Sequence, residues 1–378
     1  MKKIETFFGE TFFNDDKNLV CRIGESLTQK GMFFLQIIVG MFVQRALVDT
    51  VPSESFIEWL SQYADRICKV VAEDIPLSDI SFMSALVNCR EASFKGTNIE
   101  DITPLAHLGE LRALDISETC VRDVTALAGL KLMERLNLSC NEISDISALS
   151  AMKRLKFFNA SDTDIDDISA LSGAKGLRRV RVANTPLEDI SPLSGCKKMR
   201  VLVLSNTPVS NVGALWDMTN LDVLRVDRTR VSGNDMFVAQ NCKKLSVLNV
   251  SYTDIGWLPS GEDMTRLKVL KCGHTNVCYL NLPSGVEVID MSSTRVDTLS
   301  FLDRVERLSV LDMSDTRVTD ISPLAKCRHL TVLRTKGCEI HDFTPIKGIR
   351  TLQVVDASAD IDTRILYSLP SLLDEEGI

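Results

Sequence analysis

Apolar and polar positions along most of this chain repeat in one fixed phrase. In Leu308 to Cys327, LSVLDMSDTRVTDISPLAKC, leucine-like residues stand at Leu308, Leu311 and Met313. A threonine follows at Thr316 and an apolar residue at Val318, and Leu330 restarts the pattern. With the first apolar residue of each phrase as position 1, the phrase begins at Cys89, Leu111, Met133, Leu155, Leu177, Met199, Leu221, Leu245, Leu267, Val286, Leu308 and Leu330. The steps are 22 residues, except 24 from Leu221 to Leu245 and 19 from Leu267 to Val286. A fixed period of this length marks a stacked solenoid, in which each unit buries its apolar face only against the copies beside it. A fainter copy starts near Ile67.

Within a unit, positions 4 and 6 are apolar between polar neighbours, as at Leu114 and Ile116 or Val180 and Val182. That alternation predicts a short strand with positions 4 and 6 pointing inward. Parallel strands at ~4.8 Å spacing then make an array on the order of 60 Å long. Position 9 is almost always Thr, from Thr97 to Thr316, with Asn141 and Cys338 as the departures. A stacked row of small hydrogen-bonding residues is expected to satisfy backbone groups that a tight buried turn leaves orphaned. The segment DISPL and its variants, beginning at Asp101, Asp123, Asp145, Asp167, Asp189 and Asp320, read as helix starts with Ser or Thr as the cap and Pro or Ala after it. A short helix or 3-10 turn on the convex side is the expected result.

Residues 1–66 do not fit the repeat. The stretch Asn14 to Thr50 has helical apolar spacing, and Ser55-Phe56-Ile57-Glu58 is a capping box ahead of a second helix. A helical N-terminal cap over 1–66 is expected, because the open end of a solenoid needs a cover; a separate partner-binding module is the alternative. The solenoid is expected over 67–351 and a C-terminal cap over 352–378.

The register resembles leucine-rich repeats, particularly the internalin-like 22-residue type and the regulatory subunits of protein phosphatase 1. The stretches DISALSG and DISPLAK carry that likeness. Thr in place of the usual Asn, with Cys196, Cys242 and Cys327 at one late apolar position, is similar to leucine-rich repeat proteins of trypanosomatids. The resemblance implies an α/β solenoid with strands on a concave face and a role in protein–protein recognition. The end of the chain resembles the C-terminal cap of the phosphatase-regulatory branch through Tyr367, Leu369, Pro370, Leu372 and Asp374. That likeness implies a phosphatase catalytic subunit as an alternative, more specific partner.

Composition narrows the function further. A net charge of −8 over 378 residues argues against wholesale nucleic-acid binding. The N-terminus does not read as a secretory signal. The most apolar run, Met32 to Val48, is interrupted by Gln36, Gly40, Gln44 and Arg45, so no membrane span is expected. Eleven cysteines, an odd and scattered set, argue for free thiols in a reducing compartment, cytoplasmic or nuclear. No phosphate-cradling glycine loop appears. Cys272, His274 and Cys278 are close in sequence, but position 6 faces inward and position 8 outward, so a metal site is not expected. No cofactor and no enzyme activity are expected; a hydrolase or ubiquitin-pathway activity within 1–66 is a remote alternative.

The candidate site is the outward face of the strands, at positions 3, 5 and 7 with 2 and 8 at the rims. Position 3 is Val in a row from Val201 to Val332, suited to strands and also to an exposed contact stripe. The middle of the face is basic, with Asp115 and Glu118 on one side and Asp290, Asp312 and Asp315 on the other. The residues expected to contact a protein partner, acidic in character, are Phe157, Arg179, Arg181, Arg225, Arg228, Tyr252, Lys271 and His274. A solvated mixed-charge surface is the competing interpretation. The two irregular steps flank this region, and changes in repeat length often mark a binding edge.

Overall fold

The computed structural model describes residues 64–233 and 235–356, together with the backbone strands Lys2–Thr6, Gly9–Phe13, Leu19–Cys21 and Arg45–Leu47. Arg45–Leu47 pairs in parallel with Lys69–Val71. The strands Leu19–Cys21 and Arg45–Leu47, paired with each other in parallel, fall within the stretch Asn14 to Thr50, so the helical reading of that stretch is corrected at those residues, where sheet pairing overrides the apolar spacing. The capping box from Ser55 to Glu58 and its helix, and the expected C-terminal cap beyond Asp356 with its Tyr367 to Asp374 motif, lie outside the described residues.

The chain divides into two compact units, at Leu177 and Arg178. In the first, three-residue strands at Lys69–Val71, Glu91–Ser93, Ala113–Asp115, Arg135–Asn137 and Phe157–Asn159 pair in parallel, each in register with the next. In the second, the same pairing runs from Arg179–Arg181 through Val201–Val203, Val223–Arg225, Val247–Asn249, Val269–Lys271, Val288–Asp290, Val310–Asp312 and Val332–Arg334 to Val354–Asp356. Position 4 always faces position 4, as in Leu202↔Leu224, so each apolar side chain stacks on its counterpart one repeat away. Positions 1, 4, 6 and 11 are completely buried in repeat after repeat: Leu221, Leu224, Val226 and Val231 are one set. Cys196, Cys242 and Cys327 are buried as well and fill the apolar position they share.

The position-9 threonines do what their row suggests, each within its own turn. Thr207 Oγ1 donates to the carbonyl of Leu204 at 2.7 Å, Thr229 to Val226 at 2.6 Å and Thr253 to Val250 at 2.6 Å. The acceptor is always the position-6 carbonyl, at the point where the strand ends and its oxygen would otherwise be buried without a partner. The two exceptions reach further. Asn141 Nδ2 donates to its own Leu138 carbonyl and to Ile116 of the preceding repeat, and Cys338 Sγ lies 2.9 Å from the carbonyl of Met313, also one repeat back.

The return leg of most repeats is a 3-10 turn, such as Ser191–Leu193 or Ser322–Lys326, closed by bonds of the type Leu193 N–H to Ile190 C=O; among the described residues, the repeats that begin at Leu245 and Leu267 carry none. Its start differs from expectation. Ser191 is the first residue of the turn, and the preceding Ile190 makes no side-chain cap. The capping oxygen comes from the aspartate two residues earlier: Ser191 N–H donates to Asp189 Oδ1 at 2.7 Å and Ser191 Oγ to Oδ2 at 2.6 Å. Asp101, Asp123, Asp145, Asp167, Asp320 and Asp342 each accept the same backbone bond. A tight 3-10 turn leaves its early N–H groups within reach of a short side chain at i−2, which is the geometry of an Asx-turn.

The two irregular repeats depart on this return leg. The long one adds a two-residue strand, Ser232–Gly233, paired with Asp254–Ile255, and then a 3-10 turn over Asp235–Asn241. Among the described residues no helix is long and apolar enough to cross a membrane.

Two predictions follow from these bonds. Replacing Thr207 with Val keeps its volume but strands the Leu204 carbonyl, and should lower stability by about 1–3 kcal/mol in chemical denaturation; Thr207→Ser should recover most of the loss. The Asp101, Asp145, Asp189 and Asp342 carboxyls are held below the usual carboxylate range by the Ser or Thr N–H and hydroxyl they accept. A depressed folded value means that their contribution is fully present above the unfolded carboxylate value, near 4, and is lost as pH falls through the lower folded value. Thermal midpoints should therefore hold between pH 7 and 5 and drop on further acidification, and Asp101→Asn with Asp189→Asn should flatten that drop.

Candidate functional site

Position 8 is where the site begins. The residue there follows the strand and precedes the threonine, and its backbone is left-handed throughout the described repeats. Examples are Arg228 at φ 55°, Tyr252 at 58°, His274 at 56° and Asp315 at 54°, with glycine at Gly96 and Gly337. This region costs a non-glycine residue roughly 1 kcal/mol. The turn enforces it, because the position-8 N–H must reach the position-7 carbonyl of the next repeat. Arg228 N–H donates to Ser251 at 2.9 Å, Tyr252 to Gly273 at 2.9 Å and His274 to Ser292 at 2.7 Å.

Those bonds set the side chains of row 8 one above another at strand spacing. In the second unit two stretches of the row are in side-chain contact. Asn206 Nδ2 donates to Asn184 Oδ1 at 2.9 Å. The Arg228 guanidinium sits 4.2 Å from the centre of the Tyr252 ring. The rings of Tyr252 and His274 stack at 4.2 Å with 14° between their planes. All three side chains are exposed, and Tyr252 keeps 47% of its surface open. A shallow cleft of about 530 Å³ runs beside them, lined by Tyr252, Asp254, His274, Asn276 and Ser293. An exposed cation on an aromatic face, with a second ring beneath, can take a carboxylate or a planar group without reorganisation.

Row 5 lies alongside. Its register in the second unit reads Arg181, Val203, Arg225, Asn249, Lys271, Asp290, Asp312 and Arg334. The expected cations thus stand on alternate strands, about 10 Å apart at ordinary strand spacing. Arg225 and Lys271 are half-buried, not free outward groups. Burial pushes the Lys271 ammonium below the usual lysine value, while the nearby Asp290 carboxylate opposes that shift.

The other expected residues lie on the strands themselves. Arg179 and Arg181 are half-buried on the strand Arg179–Arg181, and their register neighbours are Val201 and Val203. Phe157, half-buried, belongs to the first unit on Phe157–Asn159. Cys272 is buried while His274 is exposed and stacked on Tyr252, so their side chains diverge as expected.

Two other expectations change. The valines of position 3 are not an exposed stripe: Val288, Val310 and Val332 form a buried cluster with Val269 packed on it, and Val223 and Val247 are buried too. Branched side chains at strand spacing cover one another. The flanking aspartates are also not simply displayed. Asp115 is buried and accepts from the N–H and hydroxyl of Ser117, while Asp290 and Asp312 accept from Ser292 and Ser314. Asp312 pairs further with Arg334 at 3.2 Å.

Sequence reasoning missed a group of exposed aromatics on the return legs: Trp216, Phe237, Trp257 and Tyr279. Phe237 and Trp257 are in ring contact at 6.2 Å. The available signal was the irregular repeats, since Phe237 lies in the long one and Tyr279 in the short one.

This architecture is the leucine-rich repeat fold, in its internalin-like form. Residues 130–150 match the family described as Leucine Rich repeat. Among solved structures, an internalin from Listeria monocytogenes is 21% identical, with a TM-score of 0.70 over 86% of this chain and 89% of that one. A leucine-rich repeat protein of Leptospira interrogans is 15% identical, with a TM-score of 0.73 over 88% of this chain and 93% of its own. A plant peptide hormone receptor, RGFR1 in complex with RGF2, is 14% identical, with a TM-score of 0.70 over 92% of this chain and 67% of the receptor. No curated protein matches the chain in sequence. Leucine-rich repeat folds generally serve protein–protein interaction.

Row 8 makes a prediction about its own backbone. Tyr252→Ala loses the stack and keeps the left-handed strain; Tyr252→Gly loses the stack but relieves the strain. The glycine variant should unfold at higher denaturant than the alanine variant, by about 0.5–1 kcal/mol, against the usual ranking of the two residues. The opposite order would contradict the left-handed assignment.

Proposed function

We propose that this chain is a non-enzymatic binding protein that holds a protein partner on the strand face of residues 178–356, the face expected to be concave. The observation that carries this is the Arg228–Tyr252–His274 ladder. Three exposed side chains are kept in contact by backbone bonds that the repeat makes in any case. Exposed Tyr and Arg held rigid are the residue types that dominate interface energetics, at little entropic cost on binding. The half-buried Arg225 and Lys271 beside them favour an acidic partner. The plant receptor among the structural neighbours is bound to RGF2 in its complex, which is consistent with this use of the fold.

We further propose a reducing compartment, cytoplasmic or nuclear. Burial raises the Cys242 and Cys327 thiols to about 11, which keeps them unreactive. The phosphatase-regulatory role remains a more specific form of the same proposal.

The test is affinity capture from a lysate with quantitative mass spectrometry. Arg228→Ala, Tyr252→Ala and His274→Ala combined should reduce recovery of the partner at least tenfold, in line with about 1–2 kcal/mol or more for a central anchor. Asp166→Lys, in the first unit and exposed, should leave it unchanged. Full recovery by the triple variant would overturn the assignment, and recovery of a phosphatase catalytic subunit by the wild type alone would specify it.

A further inference from the structure

A second surface lies on a different rim of the same strands. At the start of each strand, position 2 and the residue just before position 1 form two parallel rows. Their backbone is tied from repeat to repeat: Arg200 N–H to Arg178 C=O at 2.7 Å, Asp222 to Arg200 at 2.8 Å, Ser246 to Asp222 at 2.8 Å, Lys268 to Ser246 at 2.9 Å and Glu287 to Lys268 at 2.8 Å. Between the rows runs a groove of about 740 Å³.

Its lining is strongly basic: Arg178, Lys198, Arg200, Lys244, Arg266, Lys268 and Arg307 against only two carboxylates, Asp222 and Glu287. Both carboxylates are engaged. Asp222 pairs with Arg200 at 3.7 Å and accepts from the Ser246 hydroxyl, and Glu287 pairs with Lys268 at 3.5 Å. Lys244 donates to Asn220 at 2.6 Å. Arg178, Lys198, Arg266 and Arg307 make no ion pair among the described residues, so four cations face the groove unneutralised in a chain whose net charge is −8. The short repeat helps to open the groove. Between Arg266 and Arg307 the corresponding residue is Gly285, where an added Cβ would find only the Leu267 carbonyl, at 4.0 Å.

We propose that this groove is a docking site for an extended acidic segment of a partner protein. From Arg178 to Arg307 there are six strand steps of ~4.8 Å, about 29 Å, which an extended peptide spans in roughly nine residues at ~3.3 Å each. The charges are discrete, with cation-bearing repeats one or two strand steps apart. Carboxylates on every second or third residue of a strand-like peptide meet them at that spacing. A nucleic-acid backbone fits less well: its continuous phosphates would run against Asp222 and Glu287, and the groove has no aromatic side chain on which bases could stack. The site shares no lining residue with the Arg228–Tyr252–His274 ladder, so one partner could use either surface or both.

The test is fluorescence anisotropy with the full chain and a labelled nine-residue peptide carrying glutamate at every second position. Binding should weaken as salt rises from 50 to 300 mM. Lys198→Glu with Arg266→Glu should weaken it at least tenfold. The milder pair Lys244→Ala with Arg307→Ala should lower it severalfold and serves if charge reversal impairs folding. Arg295→Glu with Arg317→Glu, which removes as many exposed cations elsewhere, should leave affinity within twofold, and so should Tyr252→Ala with His274→Ala. Unchanged affinity in both groove variants, an equal loss in the Arg295 and Arg317 variant, no binding by the wild type, or tighter binding of a nine-nucleotide oligothymidylate would overturn the proposal. The ladder variant keeps this outcome separate from that of the proposed function.

Discussion

The constraint on which this structure depends is that each repeat must settle its backbone hydrogen bonds with the next one. A three-residue strand has too few groups to close a sheet alone, and a tight turn follows at once. The position-9 hydroxyl takes the position-6 carbonyl, as Thr229 does for Val226. That bond curls the chain, so position 8 falls in the left-handed region and its N–H points at the neighbouring repeat. The stack of Arg228, Tyr252 and His274 is a by-product of the same geometry. A functional row and a structural row are thus two sides of one turn, which is how repeat proteins build extended surfaces from nearest-neighbour contacts.

Much of this was legible in the primary structure, because the period is strict. The inward positions, the threonine row, the buried Cys196, Cys242 and Cys327, and the convergence of Arg228, Tyr252 and His274 all follow from counting residues within a repeat. What counting could not supply was depth. Alternation says that Val288 and Lys271 point away from the core, but not that neighbours at strand spacing bury them. Nor does it distinguish a displayed carboxylate from one folded onto its own backbone, as Asp115 and Asp290 are. The DISPL segment shows the same limit: a cap was plain, but Ser and Asp both qualify as donors of the capping oxygen, and only the 3-10 geometry selects Asp.

These details alter the electrostatic character of the molecule. The formal charge is −8, yet many aspartates are committed to turns or to strand-end serines. The cations of the second unit, by contrast, are concentrated on the strand rims and strand face. A negative protein can therefore present a positive field locally, where it is focused by a groove and by low-dielectric walls. Net charge describes solubility; the arrangement of committed and uncommitted groups describes which partners are attracted.

The left-handed row also bears on how such a chain can change over evolutionary time. At position 8 the backbone strain is similar whether the residue is Glu118, Asn206, Arg228 or Tyr252, because it belongs to the turn and not to the side chain. Exchanging one non-glycine residue for another there leaves the core untouched, so stability does little to filter the exchange. What remains for selection to act on is contact with something outside the protein. A lineage can rewrite this column of residues one repeat at a time, acquiring a new specificity while the scaffold beneath it stays as it was.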